Sequence, residues 1–299
     1  MSTGAVTEHR FGTVALVGRP NVGKSTLLNA FVGTKLSIVT PKPQTTRNRI
    51  VGICNLPHAQ VAFLDTPGIH APRAPLTRRM VDVARQARAE ADTVVVVVDA
   101  SAGIRGGDEQ ILTESAGARS VVVAVNKVDR VQKPRLLPLL ADLGRLLPGR
   151  ALVPVSASRG TQVDALLTEI VSTLPAGPPH YPADVYTTAT ERFLVQEIVR
   201  EQVFLAMREE VPYGTAVVVE RFEADESRGL TAIHAVILVE RDGHRGMVIG
   251  AQGATLTEIG SQARLAIEAL LDTRVHLALF VRVEPDWARR RDRLAELEL

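Results

Sequence analysis

Between residues 13 and 173 the apolar positions fall in short unbroken runs rather than in alternation. Residues 14–17, 61–64, 94–98, 121–125 and 152–155 are mostly Val, Ala and Leu. Strands of that kind are buried on both faces, as in a parallel sheet with helices above and below it. Residues 47–53 alternate instead, the pattern of an edge strand. The first part of the chain is therefore expected to be α/β, with a mostly parallel sheet flanked by helices.

The run 174–186 carries four prolines and a glycine and reads as a linker. Beyond it the order changes. A helical period over 191–208 precedes two long alternating strands at 215–222 and 230–240. A short helix, a glycine-punctuated turn, a helix at 254–271, a strand at 275–283 and a charged tail follow. That order predicts a smaller α+β domain. The expected division is a domain at 1–176, a linker at 177–188 and a second domain at 189–299.

With 299 residues the chain is long enough for two cores, and 45% hydrophobic with 23% charged residues is ordinary globular usage. Cys54 is the single cysteine, which excludes an intrachain disulfide. Residues 1–10 lack the apolar stretch of a signal peptide, and runs such as 94–98 are too short to span a bilayer. A cytoplasmic monomer is expected, with peripheral membrane contact left open. The net charge of +2 hides an asymmetry. Residues 1–184 hold 21 Lys and Arg against 14 Asp and Glu, whereas 185–299 hold 14 against 19 and contain no lysine.

Gly18-Arg-Pro-Asn-Val-Gly23-Lys24-Ser25 fits the phosphate-binding P-loop, and it follows a buried strand and opens a helix, as the motif requires. Successive backbone N–H groups form an anion nest there, and the helix N-terminus adds its positive end. Lys24 is expected on the β- and γ-phosphates and the Ser25 hydroxyl on Mg²⁺. Asn21, Val22 and Thr26 belong to the same phosphate-wrapping stretch. Asp65-Thr-Pro-Gly68 ends another buried strand. Asp65 there suits Mg²⁺ held through water, and the Gly68 N–H suits the γ-phosphate. In the intervening loop Thr46, in preference to Thr45, is the candidate for a second hydroxyl on Mg²⁺.

Asn126-Lys127-Val128-Asp129 follows the run 121–125. A carboxylate at Asp129 can accept from guanine N1–H and its 2-amino group. Adenine offers neither donor and would leave the charge unpaired, a discrimination worth roughly 10⁴–10⁵. Lys127 would cover the base, Asn126 would tie this loop to the P-loop, and Ala157, after Ser156, would donate its N–H to guanine O6. These motifs in this order predict water attacking the γ-phosphoryl group of GTP. Ile69 stands where some GTPases place a water-orienting glutamine, so slow intrinsic turnover is expected. Asn21 is a candidate for holding K⁺ near the phosphates. A kinase or ATPase is disfavoured by Asp129, and a single P-loop excludes a tandem arrangement.

In the second domain Ile249-Gly250-Ala251-Gln252-Gly253 carries the GxxG turn with which KH domains clamp a single-stranded backbone. The element order around it is the type II KH arrangement.

The chain resembles the Era family of bacterial GTPases nearly end to end. The resemblance is carried by GRPNVGKSTLLNAFVG, PQTTRNRIVGI, LDTPGIH, AVNKVD and VSAS, and later by VPYG, ILVERDGHRGMVIGAQG, EIGSQAR and VHLALFVRV. It implies a P-loop GTPase domain followed by a type II KH domain that grips the 3′ region of 16S rRNA. It also implies a role in maturation of the 30S subunit, tolerance of potassium and peripheral contact with the inner membrane. The sequence departs from the family pattern at the pair Ala251-Gln252 and at Thr257, where lysine is frequent. In a lysine-free acidic domain, Arg245 and Arg264, with Arg274 and Arg282, are the candidates for a local basic face. Stacking and base-edge hydrogen bonds are then expected to carry more of the binding. The terminal arginines 289, 290, 291 and 293 read as a solvated face. The alternative is a GTP-switched module whose KH fold docks on protein or membrane. The acidic balance favours that alternative; the GxxG context and the resemblance favour RNA.

Overall fold

The computed structural model describes residues 8–68, 75–225 and 227–297. Ile69, expected to lack a water-orienting role, lies outside them. Among the described residues no helix is long and apolar enough to cross a membrane. The chain forms two compact units, the first comprising, among the described residues, 8–37, 46–68 and 80–188.

The first unit is built on a six-stranded sheet of order β2-β3-β1-β4-β5-β6. Its strands are β1 (Arg10–Val17), β2 (Ile50–Leu56), β3 (Ala59–Asp65), β4 (Thr93–Asp99), β5 (Val121–Asn126) and β6 (Ala151–Pro154). All neighbours are parallel except β2 and β3. The helices are α1 (Lys24–Val32), α2 (Pro75–Glu90, of which residues 80–90 belong to this unit), α3 (Gly106–Ser115), α4 (Lys133–Leu146) and α5 (Val163–Thr173). Ala15, Val17, Val94, Val96 and Val98 pack against Ile111 and Leu112 of α3 and Leu139 and Leu143 of α4. On the opposite face α1 and α5 cover the sheet, with Phe31 stacked on Phe63 at 4.5 Å. Burial on both faces is why the central strands show no alternation. The expected edge strand at 47–53 is β2, displaced three residues along the chain.

The proline-rich run lies along this unit rather than apart from it. The Gln60 side chain accepts the N–H groups of His180 and Tyr181 and donates to the Tyr181 carbonyl, at 2.7–2.8 Å. Phe11 stacks on His180, and Thr187 bridges to Gly52. Prolines lack the donor that would extend the sheet, so side chains such as Gln60 hold the segment down.

The second unit comprises residues 38–45, 75–79 and 189–297 among the described ones. It contains α6 (Glu191–Ala206), β7 (Thr215–Asp225), β8 (Leu230–Val239), α7 (Asp242–Ile249), α8 (Ala254–Leu271), β9 (Arg274–Val283) and a short α9 (Arg291–Glu296). The sheet order is β7-β8-β9, with β7 antiparallel and β9 parallel to β8 and a bulge between Val219 and Arg221. Ile233, Ala235, Ile237 and Val239 turn inward onto Val195, Val199, Ile259, Ala263 and Ile267. The tail is fixed by Trp287, fully buried, whose indole N–H donates to Gly214 at 3.1 Å.

Candidate guanine-nucleotide and RNA sites

Three adjacent strands form the centre of the first site, with β3 adding Asp65 and β6 leading to Ser156 and Ala157. β1, β4 and β5 lie side by side, and the loops at their C-terminal ends hold residues 18–23, 99–101 and 126–129. The chain leaves β1 toward β2 and β3 but leaves β4 toward β5, in opposite directions across the sheet, and α/β sheets bind ligands at such a crevice.

The P-loop is shaped by its backbone. Gly23 has φ 103°, and a Cβ there would sit 2.2 Å from Asn126 Nδ2. A side chain there would displace the Asn126 amide, and the φ is one that L residues rarely adopt. Asn21 takes the left-handed conformation, φ 63°, and its side chain is exposed. Lys24 is buried with its ammonium donating to the carbonyls of Gly18 and Arg19, both at 3.1 Å. Burial lowers its pKa to about 8, against an opposing pull from Asp65. Gly68 lies against Pro20 of the loop.

Ser25, Thr46 and Asp65 meet. Ser25 Oγ lies 2.9 Å from Thr46 Oγ1 and donates to Asp65 Oδ2 at 2.7 Å, which also accepts from Ser37 at 2.6 Å. Thr45 points elsewhere, donating to the Lys42 carbonyl and pairing with Thr40. Burial raises the Asp65 carboxyl above its ordinary value, with Ser37, Lys24 and Ser25 pulling it back. Its Oδ1 is buried with no hydrogen-bond partner. An orphaned carboxylate oxygen beside two hydroxyls is an all-oxygen donor set of the kind a hard divalent cation takes, with water completing the shell.

At the base end, Asn126 Nδ2 donates to the Val22 carbonyl at 2.9 Å, which ties this loop to the P-loop. Its Oδ1 accepts the Ala157 N–H at 3.0 Å. That N–H, expected to face guanine O6, is therefore engaged within the protein. It is buried and takes the acceptor at hand. Ser156 Oγ donates to Asp129 Oδ1 at 2.6 Å, the main reason this carboxyl sits below its usual range. Lys127, at φ 63°, reaches the Asn21 carbonyl at 2.5 Å and the Asp99 carboxylate at 2.6 Å. Val22, Thr26 and Gly18 fall within the loop and the first turn of α1, as their positions require.

In the second unit the GxxG turn joins α7 to α8. Gly250 has φ 74°, and a Cβ there would fall 2.2 Å from Thr255 Oγ1. Ala251, Gln252 and Gly253 form a single 3-10 turn in which Gln252 is left-handed. Ile249 is half-buried at the end of α7. Arg245 lines a groove of about 570 Å³ with Asp242, Phe280, Arg282 and Glu220. The expected basic face is partly neutralised. Arg264 pairs with Glu268 at 2.7 Å, Arg282 pairs with Glu220 at 2.9 Å, and Arg274 donates to the Arg228 carbonyl. In the tail Arg289, Arg290 and Arg293 all pair with acids, as a solvated face would. Sequence reasoning missed Phe280, which is 56% exposed, and Asp99. The signal for Phe280 was its phase in β9: Val275, Leu277, Leu279, Val281 and Val283 pack on the core, so Phe280 faces outward.

The sheet, the P-loop, the paired hydroxyls at Asp65 and the Asn126–Asp129 loop define a P-loop GTPase domain, and the second unit is a KH domain. A family model described as a 50S ribosome-binding GTPase matches residues 13–127, and a KH domain model matches residues 210–288. The GTPase Era of Geotalea daltonii is 48% identical over 97% of this chain and 99% of its own length. That of Geobacter metallireducens is 48% identical over 96% and 97%. Among solved structures, Era in complex with MgGDPNP and nucleotides 1506–1542 of 16S ribosomal RNA superposes with a TM-score of 0.92 at 40% identity, covering 96% of this chain and 98% of that one. An Aquifex aeolicus Era variant bound to GDP and AlF₄⁻ gives the same values. The chain belongs to the Era family of GTPases.

Proposed function

We propose that this protein hydrolyses GTP with Mg²⁺ and uses its KH domain to bind the 3′ region of 16S rRNA, assisting assembly and maturation of the 30S subunit. The observation that carries the reading is the convergence of Lys24, Ser25, Thr46, Asp65, Asn126, Lys127 and Asp129 on one sheet edge, joined by the Asn126–Val22 and Lys127–Asn21 hydrogen bonds. The matched GTPase model ends at residue 127, before the KH unit, so it does not bear on which ribosomal subunit is engaged. The Era–16S RNA complex and the KH fold favour the small one.

The P-loop N–H groups and Lys24 cradle the phosphates. Asp129 reads guanine N1–H and the 2-amino group, with the Ala157 N–H available to O6 only as a donor shared with Asn126. Ser25 and Thr46 would hold Mg²⁺ directly and Asp65 through water, and the ion would neutralise charge building on the β- and γ-oxygens. Loss of the γ-phosphate removes the acceptor for the Gly68 N–H. Asn21, exposed in the P-loop, is the residue assigned to help hold K⁺. In the KH unit Ile249, Gly250, Ala251, Gln252 and Gly253 admit the RNA backbone, with Arg245 and Arg264 beside them. The protein acts as a monomer in the cytoplasm, with peripheral contact to the inner membrane.

The test is binding of the GTP-loaded protein to an oligonucleotide copying the 3′ end of 16S rRNA, against a scrambled control, over a salt series. Selective binding that weakens with a log–log slope of about −0.7 per phosphate neutralised, and is lost in Gly250→Asp, supports the reading. Equal feeble binding to both oligonucleotides would move the KH unit to protein or membrane docking.

A further inference from the structure

We propose that Asp99 is a positioning residue of the guanine site, acting through Lys127 to hold the base-covering side chain in place and to lock the base loop to the P-loop. The inference rests on reading residues 126–129 as the base site.

β4 ends at Asp99 directly beside the end of β5, with Asp99 paired to Asn126 in the sheet register. The carboxylate is held from two directions. Oδ1 accepts the Ser101 N–H at 2.9 Å and the Ser101 hydroxyl at 2.6 Å. Oδ2 accepts from Lys127 Nζ at 2.6 Å. The same ammonium donates to the Asn21 carbonyl at 2.5 Å. Two of its three protons are thus committed, one to the loop after β4 and one to the loop after β1, while the residue itself belongs to the loop after β5. The Ala100 N–H donates to the Asn126 carbonyl at 2.8 Å, so the backbone of the β4 loop is fixed to the same junction.

An exposed Lys–Asp pair contributes little, because solvent screens it and two mobile side chains must be ordered. This pair differs on both counts. The side chains are only 21% and 13% exposed, and Asp99 is already immobilised by Ser101. Burial alone would raise the Asp99 carboxyl; the Lys127 and Ser101 hydrogen bonds outweigh it and leave it below its ordinary value. Lysine's four-carbon stem has no rotamer preference strong enough to lie across a purine unaided. Anchoring the ammonium at both Asp99 and Asn21 stretches the stem between two fixed points, so that its methylenes form one wall of the base pocket before the nucleotide arrives. The ordering cost is then met in folding rather than in binding. No change at the γ-phosphate follows from this role, so the effect belongs to nucleotide affinity.

The experiment uses the full chain and fluorescent GDP, with dissociation rate and Kd measured for wild type, Asp99→Ala, Asp99→Asn and Asp99→Glu, each also in a Lys127→Met background. Asp99→Ala should raise Kd about tenfold, the loss of one charge-assisted hydrogen bond. Asp99→Glu should recover part of the loss. In GTP turnover the damage should fall on KM, with kcat changed less than twofold. In Lys127→Met, removing Asp99 should change Kd by less than twofold, because the group it acts through is gone. Asp99→Ala matching wild type in Kd, or harming Kd equally in both backgrounds, overturns the proposal. Asp129→Asn tests the underlying site separately. A switch from guanine to xanthine nucleotides keeps the base-site reading whatever Asp99 does; no switch removes that reading.

Discussion

The buried lysine should make nucleotide affinity depend on pH above neutrality. Lys24 is enclosed by its loop, and burial lowers its pKa from 10.5 to about 8. Phosphate oxygens bound at the loop would add anionic partners to that of Asp65, so binding should restore the ordinary value. A group depressed in the free protein and restored in the complex takes up a proton on binding. Below pH about 8 the lysine is charged in both states and affinity is flat; between about 8 and 10.5 each pH unit costs up to about tenfold. At pH 8.5 roughly a quarter of free protein carries the Lys24 proton, so Kd for GDP should be about fourfold weaker than at pH 7, with uptake of about 0.7 proton. Keeping to pH 8.5 limits interference from ionisation of guanine N1. The assay is titration calorimetry at pH 7 and 8.5 in two buffers of different ionisation enthalpy. Lys24→Arg, whose guanidinium does not titrate in this range, should bind without the slope. A flat Kd, no proton uptake at pH 8.5, or an equal slope in Lys24→Arg would refute the reasoning. The same shift acts on folding with a definite sign. The unfolded chain holds the proton up to pH about 10.5 and the free native state only to about 8, so Lys24's contribution to nucleotide-free stability improves as pH rises through that window.

Two further outcomes follow from buried polar groups. Asn126→Ala should destabilise the nucleotide-free first unit by roughly 2–4 kcal/mol, since the Val22 carbonyl and the Ala157 N–H both lose their partner without gaining water; denaturant unfolding monitors this, and an unchanged midpoint would count against the Asn126 tie. In the second unit Arg200 is held by Glu197 through two hydrogen bonds, at 2.7 and 2.5 Å, and lies 5.3 Å over the Phe204 ring. Glu197→Ala should cost about 3–5 kcal/mol by leaving a buried guanidinium unpaired, whereas replacing both residues with Met should be close to neutral; equal losses in the two variants would show that the pair itself, not the orphaned charge, sets the cost.

How much of this was legible depended on whether a residue's role is set locally or by the fold. The central strands were readable because a strand buried on both faces must be apolar at every position, and 94–98 meets that condition with valine alone. The phosphate and base loops were readable because each function is confined to a few neighbouring residues at the end of a strand. Thr46 was separable from Thr45 only as a preference; the geometry gives the distinction a cause, since Thr45 turns back to Thr40 and Lys42 while Thr46 meets Ser25. Three features were out of reach. Asp99 sits in a Val-Asp-Ala-Ser stretch that fits any turn after a strand, and its importance appears only when parallel pairing brings it beside Asn126 and Lys127, 28 residues further along. The Ala157 N–H, expected on the base, has a second acceptor in Asn126 Oδ1, which lies 31 residues away in sequence and 3.0 Å away in space. The proline run at 174–186 read as a linker because prolines cannot donate to a sheet, yet the Pro175 carbonyl accepts the Phe11 N–H at 3.2 Å and the Gln60 side chain, from within β3, accepts the His180 and Tyr181 N–H groups. In the first two cases the missing information was a partner supplied by sheet register. Register in turn follows from the burial pattern of whole strands, so motifs predict which chemistry a loop can perform, while the strands' common packing decides which other loops hold it steady.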